Sequence, residues 1–115
     1  MSVLTLLILA SVLAAGCGDG PGDPTGASCP TGSALTYENF GKPFVQQYCL
    51  ACHDAGGPEG PTLASIEQIR AAKGDIDRSA AAGPNAVNTF MPEGGSVPEA
   101  ERRKLGEWLA CGAPE

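Results

Sequence analysis

Apolar and polar positions divide the chain into three regions. Val3 to Leu13 is an almost unbroken apolar run of eleven residues. From Gly18 to Ser33 glycine, proline, aspartate, serine and threonine dominate, with almost nothing apolar. Beyond Ala34 apolar residues recur at helical spacings. Phe40, Phe44, Val45 and Tyr48 mark one face of a helix within Thr36–Cys49. Thr36 suits a short capped turn, and Pro43 belongs in the opening turn of the regular part, which begins near Gly41. Leu63, Ile66 and Ile69 line a second helix, opened by Ser65 with Gln68 as its capping-box partner and ended at Gly74. Asp75 to Ala82 reads as a third short helix, stopped by Gly83-Pro84. The last begins at Ser96-Val97-Pro98-Glu99, a capping box with proline in the first turn, and buries Leu105, Trp108 and Leu109 before Gly112. Asp54–Pro61 and Pro84–Gly95 are loops by their glycine and proline content. No stretch alternates as a strand would, so the predicted fold class is all-α.

The three regions predict three roles. A membrane-spanning helix needs roughly twenty apolar residues, so the first run is too short to span and suits the core of a signal peptide over residues 1–16. The following Leu13-Ala14-Ala15-Gly16-Cys17 resembles the lipobox of bacterial lipoproteins, which implies a diacylglyceryl group on Cys17 and a lipid anchor at the cell envelope, facing the periplasm or the outer surface. One departure is that no Lys or Arg precedes the apolar run. The alternative is a plain secretory signal that leaves Cys17 as an odd thiol. Residues 17–33 bury too little apolar surface to offset chain entropy, and are expected to be a flexible tether holding the domain off the membrane. Residues 34–115 form the single helical domain.

Composition adds two constraints. Seven Lys and Arg stand against thirteen Asp and Glu in 115 residues, which argues against nucleic acid as a partner. Sixteen glycines, ten prolines and only three Phe, two Tyr and one Trp make a thin core for a chain of this size. A covalently held apolar group would enlarge it.

The stretch Cys49-Leu50-Ala51-Cys52-His53 names such a group. Two cysteines separated by two residues and followed by histidine form the attachment signature of c-type haem. Each thiol adds to one vinyl group to form a thioether, and His53 supplies a ring nitrogen as proximal ligand. A dithiol redox pair would expect a βαβ context, which is missing from the pattern. A zinc site would need further ligands, yet no second C-x-x-C follows and His53 is the only histidine. With Met1 removed in the signal peptide, Met91 in Asn88-Thr89-Phe90-Met91-Pro92 is the remaining methionine and the candidate sixth ligand. Its alternative role is to fill a core gap. His/Met ligation raises the potential relative to His/His and leaves no position for a substrate, so the expected activity is outer-sphere electron transfer, not enzymatic catalysis. Were Met91 not a ligand, an enzyme or gas sensor with an open sixth position would replace that reading.

Together these residues resemble the class I cytochromes c over roughly Thr36 to Gly112, through Cys49–His53, then Gly60-Pro61-Thr62-Leu63, Phe90-Met91-Pro92 and the terminal helix. The resemblance implies a small helical domain wrapped around one covalent haem. It also implies that the carbonyl of Pro61 accepts a hydrogen bond from the proximal His53. The family crosses its first and last helices at a glycine and an aromatic residue, here Gly41 or Phe44 against Trp108. The loops are shorter, and the lysine ring of the mitochondrial carriers is missing, so the implied partners are transient redox proteins of unspecified identity. Of five cysteines, Cys29 and Cys111 remain, and in an oxidising compartment the pair is expected to form a disulfide. Arg70, Lys73 and Arg78 are placed to reach haem propionates, but a solvated helix face explains them equally well, and they receive no role.

Replacing Cys17 tests the anchor. Cys17→Ser is expected to move the protein from the membrane fraction to the soluble fraction, read by fractionation and immunoblot; retention in the membrane would reject lipidation.

Overall fold

The computed structural model describes residues 21–115. The expected signal peptide and Cys17 lie outside them. A single π-helical turn, Tyr37–Gly41, leads into α1 (Lys42–Tyr48), the one-turn α2 (Leu50–His53), α3 (Ile66–Ala71), α4 (Lys73–Ala80) and α5 (Glu99–Ala110). Among the described residues there is no strand, and one isolated antiparallel bridge joins Ala82 to Val87. The expectation of an all-α class holds. No helix among the described residues is long and apolar enough to cross a membrane.

Local rules account for most boundaries. Thr36 accepts from the Asn39 N–H and Asn39 answers the Thr36 backbone, a reciprocal cap that starts the first helical segment. Pro43 sits in the first turn of α1, where its missing N–H leaves no bond unmade. Ser65 and Gln68 close the expected capping box on α3. Two expectations fail. Gly74 does not end this helix: α3 breaks at Ala72, and Gly74 lies inside α4, which starts two residues before Asp75 and stops at Ala80. The box at Ser96 does not form, because Pro98 itself occupies the cap position of α5 with no side-chain bond. Proline's fixed φ starts the helix without a capping oxygen.

The core is organised where the first helical segment crosses α5. Trp108 is fully buried, and Phe40, Phe44, Val45, Leu105 and Leu109 close around it. A Cβ placed on Gly41 would strike the Trp108 ring, so only glycine permits this approach. Of the two expected contacts, Gly41 is the one beneath the ring. Tyr37 stacks on Trp108 at 6.4 Å, Phe40 meets its edge at 6.3 Å, and Phe44 and Tyr48 continue the series. The C-terminal tail folds back over this crossing: the Pro114 carbonyl accepts from Trp108 Nε1 at 3.1 Å and from the Tyr37 N–H at 2.7 Å. Gly106 lets α5 run close to the Ala82 carbonyl, and α4 packs alongside.

The segment expected to be a flexible tether is not one from residue 21 onward. Thr25 is buried, with its N–H and hydroxyl both donating to the Asp77 carboxylate at 2.9 and 2.6 Å. Asn88 Nδ2 donates to the Asp23 carbonyl, and Arg78 Nε to the Gly22 carbonyl. Polar bonds to α4 and its following loop, rather than apolar burial, hold this strap. A disulfide between Cys29 and Cys111 joins it to the end of α5, as the cysteine count implied. Closing a loop of that span contributes roughly 4 kcal/mol on chain-entropy grounds. The domain therefore begins well before residue 34. Arg78 and Arg70, whose Nε binds the Ala113 carbonyl at 3.0 Å, hold backbone rather than only facing solvent.

Gly41→Ala is expected to lower stability by about 1–3 kcal/mol by overpacking Trp108, read as a fall in the urea midpoint. Gly74→Ala, where a Cβ meets nothing within 4 Å, is the matched control; it is expected to be neutral or to stabilise by up to about 1 kcal/mol.

Candidate cofactor cleft

Residues three and four apart share one helix face, so the single turn of α2 puts Cys49, Cys52 and His53 on one side. The Cys49 carbonyl accepts from the N–H groups of Cys52 and His53 at 3.2 and 2.9 Å, which closes the turn. The loop behind it doubles back. Leu63 N–H donates to the His53 carbonyl at 2.7 Å and Glu59 N–H to that of Cys52 at 3.0 Å.

This return brings the Pro61 carbonyl to 2.8 Å from His53 Nδ1. A carbonyl oxygen only accepts, so Nδ1 carries the proton and donates. The tautomer is thereby fixed, and Nε2 keeps its lone pair for a metal. The role implied for Pro61 thus has its hydrogen bond in the structure.

A cleft of about 270 Å³ opens between this wall and a second one. Tyr48, Cys49, Cys52, His53, Pro61 and Leu63 line the first side; Ile76, Ser79 and Ala80 of α4 line the second, with Met91 and Pro92. All the residues expected from sequence to hold a cofactor meet here. Cys29 and Cys111 lie elsewhere, in their disulfide. Met91 is half-buried and packs against the core, its N–H donating to the Ser79 carbonyl at 2.8 Å. Glu59, Asp75 and Glu93 add negative charge to the lining.

Both cleft cysteines are free thiols. Burial pushes the Cys49 thiol up from 9.0 to about 11, whereas Cys52 is exposed. The donor set suits a haem c: two free thiols spaced for two thioethers, an imidazole with Nε2 available, a thioether sulfur on the same cleft and apolar flanks. No three His, Cys, Asp or Glu side chains among the described residues gather as a site for a bare metal ion.

One residue of the site escapes motif reading. Arg102 of α5 is buried, 3 % exposed, and its Nη1 donates to the carbonyls of Ala80, Asn88 and Met91 at 2.8, 2.9 and 2.8 Å. Burial draws its pKa downward, against an opposing influence of Tyr48. It stands in the run Glu101-Arg102-Arg103-Lys104, which looks like a solvated face. Helical arithmetic was the available signal: Arg102, Leu105, Gly106 and Leu109 share one stripe.

Comparison with protein-family models, curated proteins and solved structures finds no match to this chain.

In the haem-free chain, iodoacetamide is expected to modify exposed Cys52 before Cys49, read by peptide mass spectrometry. Because folding raises the Cys49 pKa, the fold favours the neutral thiol. That contribution is complete below pH 9.0 and is lost as pH climbs through about 11. Alkylation of Cys49 should accelerate about tenfold per pH unit well below that pKa and level off as pH passes about 11, in step with its thiolate fraction.

Proposed function

We propose that this chain is a monohaem c-type cytochrome of the class I kind, lipid-anchored at a bacterial cell envelope, that carries electrons between redox proteins. The observation that supports it most is the His53 Nδ1–Pro61 carbonyl bond of 2.8 Å, on a cleft that also holds Cys49, Cys52 and Met91. A histidine kept as the Nδ1–H tautomer by a backbone carbonyl is prepared to ligate through Nε2. An isolated C-x-x-C pair has no use for that arrangement.

Each part of the site has a role in this reading. Cys49 and Cys52 would hold a haem by thioethers, and His53 and Met91 would ligate its iron. When bound, the group supplies reversible one-electron redox chemistry at its iron. The Pro61 carbonyl orients the imidazole and raises its basicity as a ligand. Met91, held through Ser79 and Arg102, would supply a sulfur to the iron where a small molecule could otherwise bind. Tyr48, Leu63, Ile76 and Ala80 line the cleft and would shield the flanks of a bound haem from water, which would favour the less charged ferrous state. Glu59, Asp75 and Glu93 would bias encounters toward partners with basic faces. With His53 and Met91 both bound to the iron, no position would remain for a substrate, and the activity would be electron transfer rather than catalysis.

Met91→Ala is expected to vacate the sixth position, to lower the reduction potential, and to let the reduced protein bind carbon monoxide rapidly. Visible spectra of both oxidation states, a haemochrome assay and a redox titration of wild type and variant check this. An unchanged spectrum and potential would reject Met91 as ligand and favour the open-site enzyme or sensor; colourless wild-type protein exported with a haem-attachment system would reject the haem.

A further inference from the structure

The guanidinium of Arg102 stands out because no carboxylate among the described residues pairs with it. Among the described residues no carboxylate lies within 4 Å of it; the ion pairs there are Lys42–Glu38, Arg103–Glu99 and Lys104–Glu101, all exposed. Its bonds go instead to main-chain carbonyls from two parts of the chain, the end of α4 and the loop that carries Met91. A buried cation is costly to desolvate, and an apolar residue of similar volume would fill the same space without that cost. A leucine or methionine, however, could not hold these carbonyls.

Met91 depends on that grip. Its own N–H is bonded to Ser79 of α4, and its carbonyl to Arg102 of α5. The next residue is Pro92, which has no N–H to offer. Asn88, three residues upstream, is held the same way: its carbonyl by Arg102, its side chain by the carbonyls of Asp23 and Asp77. Ala80, the third acceptor, lines the cleft itself. Arg102 thus ties the methionine loop to the helical wall opposite His53, and leaves an unneutralised positive charge one carbonyl away from the candidate ligand.

We propose that Arg102 is a positioning residue for the sixth iron ligand and, through its uncompensated charge, a determinant of the reduction potential. The proposal rests on the haem reading given above. It assigns two separable effects. The hydrogen bonds keep the Met91 sulfur within reach of the metal. The charge disfavours the ferric state, whose net charge is one unit more positive, and so raises the potential.

Two variants separate these effects: Arg102→Met removes charge and donors together, and Arg102→Lys keeps the charge but loses the planar fork. Wild type and both variants are made as full chains with a haem-attachment system and compared by visible spectrum, redox titration, carbon monoxide binding to the reduced form, and hydrogen exchange at the Met91 amide. Arg102→Met is expected to lose part of the sulfur–iron absorption, to bind carbon monoxide at least about tenfold faster, to titrate at a lower potential, and to exchange the Met91 amide at least about tenfold faster. Arg102→Lys is expected to lie nearer the parent in potential than in exchange rate. Should Arg102→Met not fold, Arg102→Lys alone decides: faster exchange at Met91 with partial loss of sulfur ligation supports the proposal, and parental exchange and spectrum overturn it. If wild type shows sulfur ligation while Arg102→Met keeps the parental spectrum and potential, the proposal fails and the haem reading stands. A wild type lacking sulfur ligation overturns both.

Discussion

The contact on which the rest of the structure depends is the seat of the Trp108 ring on the bare backbone of Gly41. It sets how closely the first helical segment approaches α5, and other constraints gather there. The C-terminal tail is folded back onto the indole through the Pro114 carbonyl, Arg70 of α3 secures the same tail at Ala113, and the disulfide draws the strap to Cys111, the first residue beyond α5. The aromatic series from Trp108 through Phe40 and Phe44 to Tyr48 carries the crossing along α1 to the cleft. A rigid crossing at one end therefore fixes the direction in which the Cys49–His53 turn faces at the other.

The cleft is built from two walls secured in different ways. On one side main-chain bonds fold the loop after His53 back upon α2, and the same return brings the Pro61 oxygen to the imidazole. On the other, a side chain does the work: Arg102 reaches out of α5 and satisfies carbonyls that have no partner in a regular element. Buried main-chain oxygens need donors, and a loop rich in glycine and proline cannot supply enough of them. The same logic explains why a chain with so few aromatic residues can hold a defined shape.

Sequence periodicity was enough to find the helical class, the buried stripe of α5 and the faces of α1 and α3, because those elements obey local rules of spacing and capping. The cysteine and histidine motif was legible for the same reason: its residues lie within one turn. Legibility ended where polar side chains bind distant backbone. Residues 21–33 have the composition of a linker, yet Asp77 and Asn88, more than fifty residues away, receive them. Arg102 lies in a charged run but on the apolar stripe, and only the spacing to Leu105 and Leu109 hinted at burial. At Ser96 the local rule itself misled, since proline in the cap position displaced the expected oxygen.

The strap changes what an anchor at the N-terminus would do. With lipid on Cys17, four peptide steps separate the acylated residue from Pro21, a reach of at most about 14 Å. The molecule would then be moored almost against the headgroups, with the α4 side nearest the mooring point, and would drift within the leaflet instead of sweeping a volume above it. If the chain carries electrons as proposed, its collisions with donors and acceptors would become a two-dimensional search. Donors and acceptors embedded in, or bound to, the same bilayer would meet it far more often than carriers free in the surrounding fluid.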